Sequence, residues 1–544
     1  MSRTMRPRIV VTGDDVRLLR FMHHELGRAG YHVLPATDGG AAPGVARPLL
    51  KPSVELLAAG PRVASRTPFW DHGGVGTILR RAAWFGALAL VALAGSPGSS
   101  IRAAARPNIV FILTDDQAFH EMVDLPQTRA FLGATGTTFT NAYVINPLCC
   151  PSRATILTGK TSGETDVWDN VPPDGGWGSF KASGLEKSDL PVWLHNAGYR
   201  TGLVGKYLNG YKPSTVTKVP KGWDDWHALA LGESGADSEG KGGYFDYTMS
   251  DNGVGTFHGE AQTDYSTTVL GDDAVRFVEN ADPAKPLFLW FAPRAPHGPA
   301  TPEAKYASAS CPTATAPRTA DFNEDVSDKP AYLSSHPKIG VLNIDKLALM
   351  RCQTLLSVDD QVGRLAAALA DTGRLSNTLV VFMSDNGYLL GAHRWNGKTV
   401  PYEEATHVPL LVRWDGHVPS GAVDDGIVLN LDIARTLADA AGVAAPGAGG
   451  VDVLAGGTHT DFLLEHQSEA PGQEGTVPPY CGVHTATRLY VQYVTGEQEL
   501  YDLAKDPFET TNLARDPSRA QELADLHARA MALCTPRPPG WSLP

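Results

Sequence analysis

The tightest constraint on the fold is a pattern that occurs four times: a short apolar run that stops at a residue able to do chemistry. Asn108-Ile109-Val110-Phe111-Ile112-Leu113 runs into Thr114-Asp115-Asp116, and Thr201-Gly202-Leu203-Val204-Gly205 leads to Lys206. Leu287-Phe288-Leu289-Trp290-Phe291-Ala292 leads toward Pro296-His297, and Leu379-Val380-Val381-Phe382-Met383 leads into Ser384-Asp385-Asn386. Runs of this kind alternating with amphipathic stretches predict buried strands between helices, an α/β fold with a large, mostly parallel sheet. In open α/β sheets the loops beyond the strand carboxyl ends converge, and ligands bind there. The four segments therefore point into one site.

Around that frame, residues 357–371 carry Val358, Val362, Leu365 and Leu369 on one face and predict a helix leading into the Asp385 strand. Asn430-Leu431-Asp432, then Ile433, Leu437 and Ala441, then Gly442, read as a capped helix with a glycine stop. Pro446-Gly447-Ala448-Gly449-Gly450 reads as a linker. Beyond it, Arg488–Val494 and Glu499–Leu503 alternate as strands of a small antiparallel sheet, closed by a helix over 517–534. The expected organisation is a catalytic domain over 106–445 and a C-terminal α+β subdomain over 446–544. The net charge of −13 argues against general nucleic-acid binding, so an anionic substrate has to be captured by local positive groups.

Arg80-Arg81 precedes the apolar run 82–94 and small residues follow it, the pattern of a secretory signal peptide over 80–105. The run is shorter than the ~20 apolar residues of a spanning helix, so the expectation is export without a stable membrane span. Cleavage is expected after Ala94 or Ala105. Within 1–79, residues 8–38 resemble the first strand, helix and strand of a response-regulator receiver domain, and the resemblance stops near Gly40. A fragment of that kind cannot bury a complete core. It is read as a translation start set too far upstream, with Val75 near the true beginning, or as a fusion remnant, and residues 1–105 are expected to contribute nothing to catalysis.

The run Cys149-Cys150-Pro151-Ser152-Arg153-Ala154-Thr155-Ile156-Leu157-Thr158-Gly159-Lys160 carries the most chemical information. Pro151 suits the first position of a helix through Leu157, because its fixed φ and missing N–H cost nothing there. Cys149 then sits at the positive end of that helix, where an oxyanion is favoured, with Arg153 one turn in. Asp115, Asp116, Asp385 and Asn386 offer only oxygen donors, a set suited to a hard divalent cation and not to zinc. Isolated acid pairs at strand ends commonly serve as caps or turn formers; two pairs beside the Cys149 run favour a metal.

That run resembles the signature of the type I sulfatases, in which the first cysteine of C-x-P-S-R is oxidised to formylglycine by a formylglycine-generating enzyme. The resemblance implies the alkaline phosphatase-like fold and a metal centre of Asp115, Asp116, Asp385 and Asn386 with the modified Cys149. It implies calcium there, with magnesium as the alternative. It further implies that Arg153 keeps the hydrated aldehyde ionised, that Lys206, His297 and Lys398 bind the sulfate, and that His297 or Lys398 protonates the leaving oxygen. One hydroxyl of the hydrated aldehyde attacks sulfur and the second releases the product, which a thiol could not do. His393 is a further pocket candidate, weighed against a place in a surface loop.

Many members of the family carry a histidine two residues after the Lys206 position, where this chain has Leu208. Gly205-Lys206-Tyr207-Leu208-Asn209, together with the double cysteine and Phe322-Asn323-Glu324-Asp325-Val326-Ser327-Asp328-Lys329-Pro330, resembles the N-acetylglucosamine-6-sulfatase and extracellular endosulfatase branch over roughly residues 106–535. The expected activity is hydrolysis of a sulfate monoester, the 6-O-sulfate of a glucosamine-containing saccharide, with aryl sulfates as artificial substrates. The alternative is a phosphonate or phosphate ester hydrolase sharing the same maturation. If Cys149 becomes an aldehyde, five cysteines remain. Cys150 is expected unpaired, Cys481 is matched with Cys534, and Cys311 with Cys352, against the alternative of five reduced thiols.

Overall fold

Burial on both faces is what the apolar runs require, and the chain meets it by stacking them side by side in the middle of a ten-stranded sheet. The computed structural model describes residues 8–11, 32–35, 106–231, 242–467 and 477–543. The sheet is built from β1 (Asn108–Thr114), β2 (Thr137–Tyr143), β3 (Arg200–Gly205), β4 (Asp225–Leu229), β5 (Tyr247–Asp251), β6 (Val254–His258), β7 (Leu287–Ala292), β8 (Thr378–Ser384), β9 (Leu410–Arg413) and β10 (Ala422–Leu429). Its order is β10-β2-β9-β8-β1-β7-β3-β4-β5-β6. The four strands carrying polar ends, β8, β1, β7 and β3, are consecutive neighbours and mutually parallel. Antiparallel pairings are confined to β9 on one side and to β4-β5-β6 on the other.

Along β1 the side chains alternate between two cores, as the two-residue period of a strand requires. Ile109, Phe111 and Leu113 join the cluster containing Ala154, Ile156 and Leu157 of helix α1 (Cys149–Thr158). Val110 and Ile112 join the one containing Val358, Val362, Leu365 and Leu369 of helix α2 (Val341–Asp371). The sheet is thus covered on both faces, which explains why its central strands read as unbroken apolar runs.

Helix α2 begins well before residue 357. Its buried stripe continues upstream through Ile344, Ala348, Cys352 and Leu355, but polar residues dilute it there. Helix α1 begins at Cys149, so Pro151 is the third helical residue and not the first. The absent N–H still costs nothing, since the first four helical N–H groups have no partner within the helix. Gly159 ends α1 with φ +66°, and its carbonyl accepts from Gly449 N at 2.6 Å. The glycine-rich stretch 446–450 is therefore packed against α1.

Beyond it, β11 (Asp461–His466), β12 (Tyr480–Thr485), β13 (Arg488–Tyr493) and β14 (Gln498–Asp502) form the expected antiparallel sheet, with helix α3 (Ala520–Leu533) following. The described residues from Arg106 onward form one compact unit. Both expected disulfides are present, Cys311–Cys352 with Cα atoms 6.2 Å apart and Cys481–Cys534 at 6.0 Å. Cys149 and Cys150 are free and buried. In the N-terminal unit Arg8–Val11 and His32–Pro35 pair in parallel; the signal-like segment lies outside the described residues. Among the described residues no helix is long and apolar enough to cross a membrane.

Phe111 is fully buried on the central strand and meets Trp290 edge-on at 4.8 Å between centroids. Phe111→Ala is expected to lower unfolding free energy by about 3–5 kcal/mol, measured by urea denaturation.

Candidate active site

The carboxyl ends of the four parallel strands come level because their registers do. Ser384 pairs with Thr114, and Gly205 with Ala292. Asp115 and Asp385 therefore leave adjacent strands together. Two backbone bonds continue the ladder past the strand ends: Asp385 N donates to Thr114 O at 3.1 Å and Asp115 N to Ala295 O at 3.3 Å. Asp116 takes φ +67°, a left-handed turn that aspartate tolerates better than most residues.

Asp115, Asp116, Cys149, Arg153, Lys206, His297, Asp385, Asn386 and Lys398 meet here, and His393 does not. Asp385 Oδ1 accepts from Asp116 N at 3.0 Å, and Asp385 Oδ2 from Arg153 Nε at 2.7 Å. Lys206 Nζ donates to Asp115 Oδ2 at 2.7 Å, and Lys398 Nζ to Asp116 Oδ1. Cys149 Sγ lies 3.4 Å from Asp115 Oδ1, 3.7 Å from Asp116 Oδ1 and 2.7 Å from Lys398 Nζ. Its shell is ionic, although the residue is 1% exposed. Lys398 and His297 are the members of this set whose side chains are partly exposed. His297 Nε2 stands 3.6 Å from Asp116 Oδ2.

Two residues were missed by the sequence reading. Arg294, 1% exposed, places Nη2 3.0 Å from His297 Nδ1 and Nη1 3.9 Å from Asp115 Oδ2. A basic residue in the same post-strand loop as His297 was a usable signal. Arg351, also buried, forks onto Glu121 with two 2.7 Å bonds and donates to Asp116 O at 2.6 Å, fixing the turn at Asp116. In sequence it is one more helix arginine, so nothing marked it. His393 is wholly buried with Glu324 and does not line a surface loop. Leu208 packs in the core beside Tyr207 and Tyr211.

The electrostatics follow from this packing. Burial alone would raise the Asp115 carboxyl, but the charges of Lys206, Arg153 and Lys398 outweigh it and hold the group well below its ordinary range. The same competition, led by Lys398, takes Asp116 down to about 2. For Asp385 burial outweighs Arg153, and its carboxyl is raised. Burial works against charge on Lys398, yet the Asp116 and Asp115 carboxylates keep it well above the usual lysine range. Burial and Arg294 push His297 down to about 3, leaving a neutral imidazole. Burial pushes the unmodified Cys149 thiol up, so it holds its proton and is a weak nucleophile as genetically encoded.

The donor set fits a hard divalent cation. Asn386 Nδ2 is engaged by Asp116 Oδ1 at 2.8 Å and Gly387 O at 2.9 Å, which turns Oδ1 the other way, buried and without a partner. Three carboxylates and that amide oxygen are the ligands such an ion takes. Two arginines also hold N–H groups with no acceptor: Arg153 Nη2 and, on Arg294, Nε and Nη1. Buried guanidinium donors left open beside Cys149 suit an anionic ligand.

Residues 107–443 match the sulfatase family, and residues 391–535 match the family described as N-sulphoglucosamine sulphohydrolase, C-terminal. The human N-acetylglucosamine-6-sulfatase is 34% identical over 502 residues, covering 82% of this chain and 88% of its own length. Among solved structures, a protein in complex with its substrate D-glucosamine-2-N,6-O-disulfate superposes with a TM-score of 0.65 at 23% identity, over 78% of this chain and 97% of the other. The phosphonate monoester hydrolase of Silicibacter pomeroyi follows with a TM-score of 0.60 at 22% identity, over 78% and 95%. At those identities the two structures speak to the fold alone.

Gly205 has φ +122°, and a Cβ there would stand 2.0 Å from the Ala292 carbonyl oxygen. Gly205→Ala is expected to push β3 from β7 and shift Lys206, lowering kcat/KM by about 100-fold or more together with Tm. Steady-state kinetics beside a thermal melt would check both.

Proposed function

Because this chain belongs to the sulfatase family and is a sulfuric ester hydrolase, we propose that it removes the 6-O-sulfate of a glucosamine-containing saccharide after Cys149 is converted to formylglycine. The observation that carries the catalytic part is the meeting of Cys149, at the amino end of α1, with Lys398 at 2.7 Å and Asp115 at 3.4 Å. The saccharide assignment rests on the likeness to N-acetylglucosamine-6-sulfatase across most of both chains. A phosphonate hydrolase shares the fold, but the identity to sulfatases is higher and spans a comparable length.

Asp115, Asp116, Asp385 and the free Oδ1 of Asn386 would hold calcium or magnesium, which neutralises charge on the sulfate; the hydrated formylglycine would supply the attacking oxygen and the hydroxyl for release. The remaining work belongs to residues of the chain. Arg153 is clamped by Asp385 and by the Lys206 carbonyl, at 2.8 Å from Nη1, so its open Nη2 is oriented before substrate arrives. Lys206, held by Asp115, and Arg294 add fixed positive charge around a tetrahedral anion, where preorganised donors stabilise negative charge as it builds. His297 and Lys398, the partly exposed members of the set, would face a departing alcohol oxygen. The disulfides and the signal-like segment support export.

Mass spectrometry of the peptide spanning Cys149, from protein co-produced with a formylglycine-generating enzyme, is expected to show the aldehyde at Cys149 and unmodified thiol at Cys150. Aryl sulfate is expected to be cleaved faster than aryl phosphonate; the reverse order would overturn the substrate class. Lys398→Ala is expected to cost about 10²–10⁴-fold in kcat on an alkyl sulfate and much less on a nitrophenyl sulfate, whose leaving group needs no proton. Equal losses on both would remove Lys398 from the role of proton donor.

A further inference from the structure

A second cluster of ligating groups lies outside the site just described, formed by the residue just before the motif 322–330 and the two flanks of the loop that carries Lys398. Asp321, His393 and Glu404 each bring a ligand atom within 4.8 Å of the other two. Asp321 and His393 are fully buried. Both carboxylate oxygens of Asp321 are without a hydrogen-bond partner, as are His393 Nε2, Glu404 Oε2 and Glu509 Oε1. Glu509, also buried, places Oε2 3.9 Å from His393 Nε2 and accepts there from Glu403 N at 3.1 Å.

Other neighbours do not balance this charge. Glu324 adds a further carboxylate, with Oε1 2.5 Å from His393 Nδ1. The cation at hand is Lys329, whose Nζ is taken by Tyr501 Oη at 3.0 Å and the Glu509 carbonyl, and lies 3.4 Å from Glu324 Oε1. Arg394 turns its guanidinium to the carbonyls of Glu324 and His336. Buried carboxylates facing one another need a cation or a shared proton, and burial with the neighbouring Asp321 and Glu509 holds the Glu404 carboxyl well above its ordinary range when no cation is there. The orientation of His393 favours the cation: Nδ1 is held by Glu324, and Nε2, 3.9 Å from Glu509 Oε2, has no hydrogen-bond partner, the carboxylate–histidine arrangement that sets a metal-binding nitrogen.

We propose that Asp321, His393 and Glu404, with Glu509 alongside, form a second divalent-cation site that takes a transition ion such as Mn²⁺ or Zn²⁺. An imidazole nitrogen with carboxylate oxygens suits those ions, whereas the all-oxygen site at Asp115 suits calcium or magnesium. The role is structural. Lys398 lies between His393 and Glu404 in the chain, and His393 N donates to Asp321 O at 2.8 Å. An ion here joins the segment at Asp321, both flanks of the Lys398 loop and, through Glu509, the C-terminal subdomain.

The test uses the whole protein, stripped with a chelator and dialysed against Mn²⁺ in excess Ca²⁺, with both metals counted by plasma mass spectrometry. One Mn²⁺ per chain is expected to survive gel filtration, with nitrogen coupling in its electron–nuclear double resonance spectrum. Asp321→Asn is expected to lose that Mn²⁺ while keeping its Ca²⁺. Should the variant fail to fold, anomalous diffraction from wild-type crystals at the manganese edge decides the matter, and a peak among Asp321, His393 and Glu404 supports the site. Failure of the wild type to retain Mn²⁺ or Zn²⁺ beside Ca²⁺, or no anomalous peak there, overturns the proposal in favour of a shared proton. Activity enters neither readout, so the outcome is independent of the substrate assignment.

Discussion

Three ion pairs buried at the strand ends hold the site together: Asp115 with Lys206, Asp385 with Arg153, and Asp116 with Lys398. Charges taken out of water are tolerated only in company, and removing one partner leaves the other at a cost of about 3–5 kcal/mol. Each pair joins different parts of the chain: β1 to β3, β8 to α1, and the β1 loop to the Lys398 loop. The pairs form only when all of these parts are in register. A slip of one residue in any central strand would turn its polar end away and its apolar set to the wrong face, so packing and charge enforce the same alignment.

That alignment makes the pocket rigid before substrate arrives. The guanidinium of Arg153 is fixed by its bonds to Asp385 and the Lys206 carbonyl, and Arg351 fixes the turn that presents Asp116. Donors that need not reorient stabilise developing charge most effectively. The amino end of α1 adds its dipole at Cys149, so negative charge is welcome at that position.

The C-terminal antiparallel sheet shares in this work. Tyr480 Oη donates to Thr399 O at 3.0 Å, and Tyr402 Oη to Glu499 Oε1 at 2.9 Å, so strands β12 and β14 pin both sides of the loop bearing Lys398. Lys329, from the motif that marked the branch, reaches Tyr501 on β14. The second sheet is therefore a brace for the Lys398 loop, consistent with its belonging to one compact unit with the main sheet.

Residues adjacent in the chain act locally, and that much was legible beforehand: the apolar runs, their polar ends, the helix after Cys149 and the antiparallel C-terminal sheet follow from periodicity and turn chemistry. The oxygen-only donor set was also readable, because ligand type is a property of residue identity. Distances between segments far apart in sequence depend on strand order and register, so only the folded chain could show that Asp115 meets Lys206. The same holds for Arg351, which reaches the Asp116 turn from the middle of a helix, and for Arg294 turning toward His297. His393 is the sharpest case: its position beside Lys398 in the chain suggested the pocket, whereas packing against Asp321, Glu324 and Glu404 gave it a different set of charges to answer.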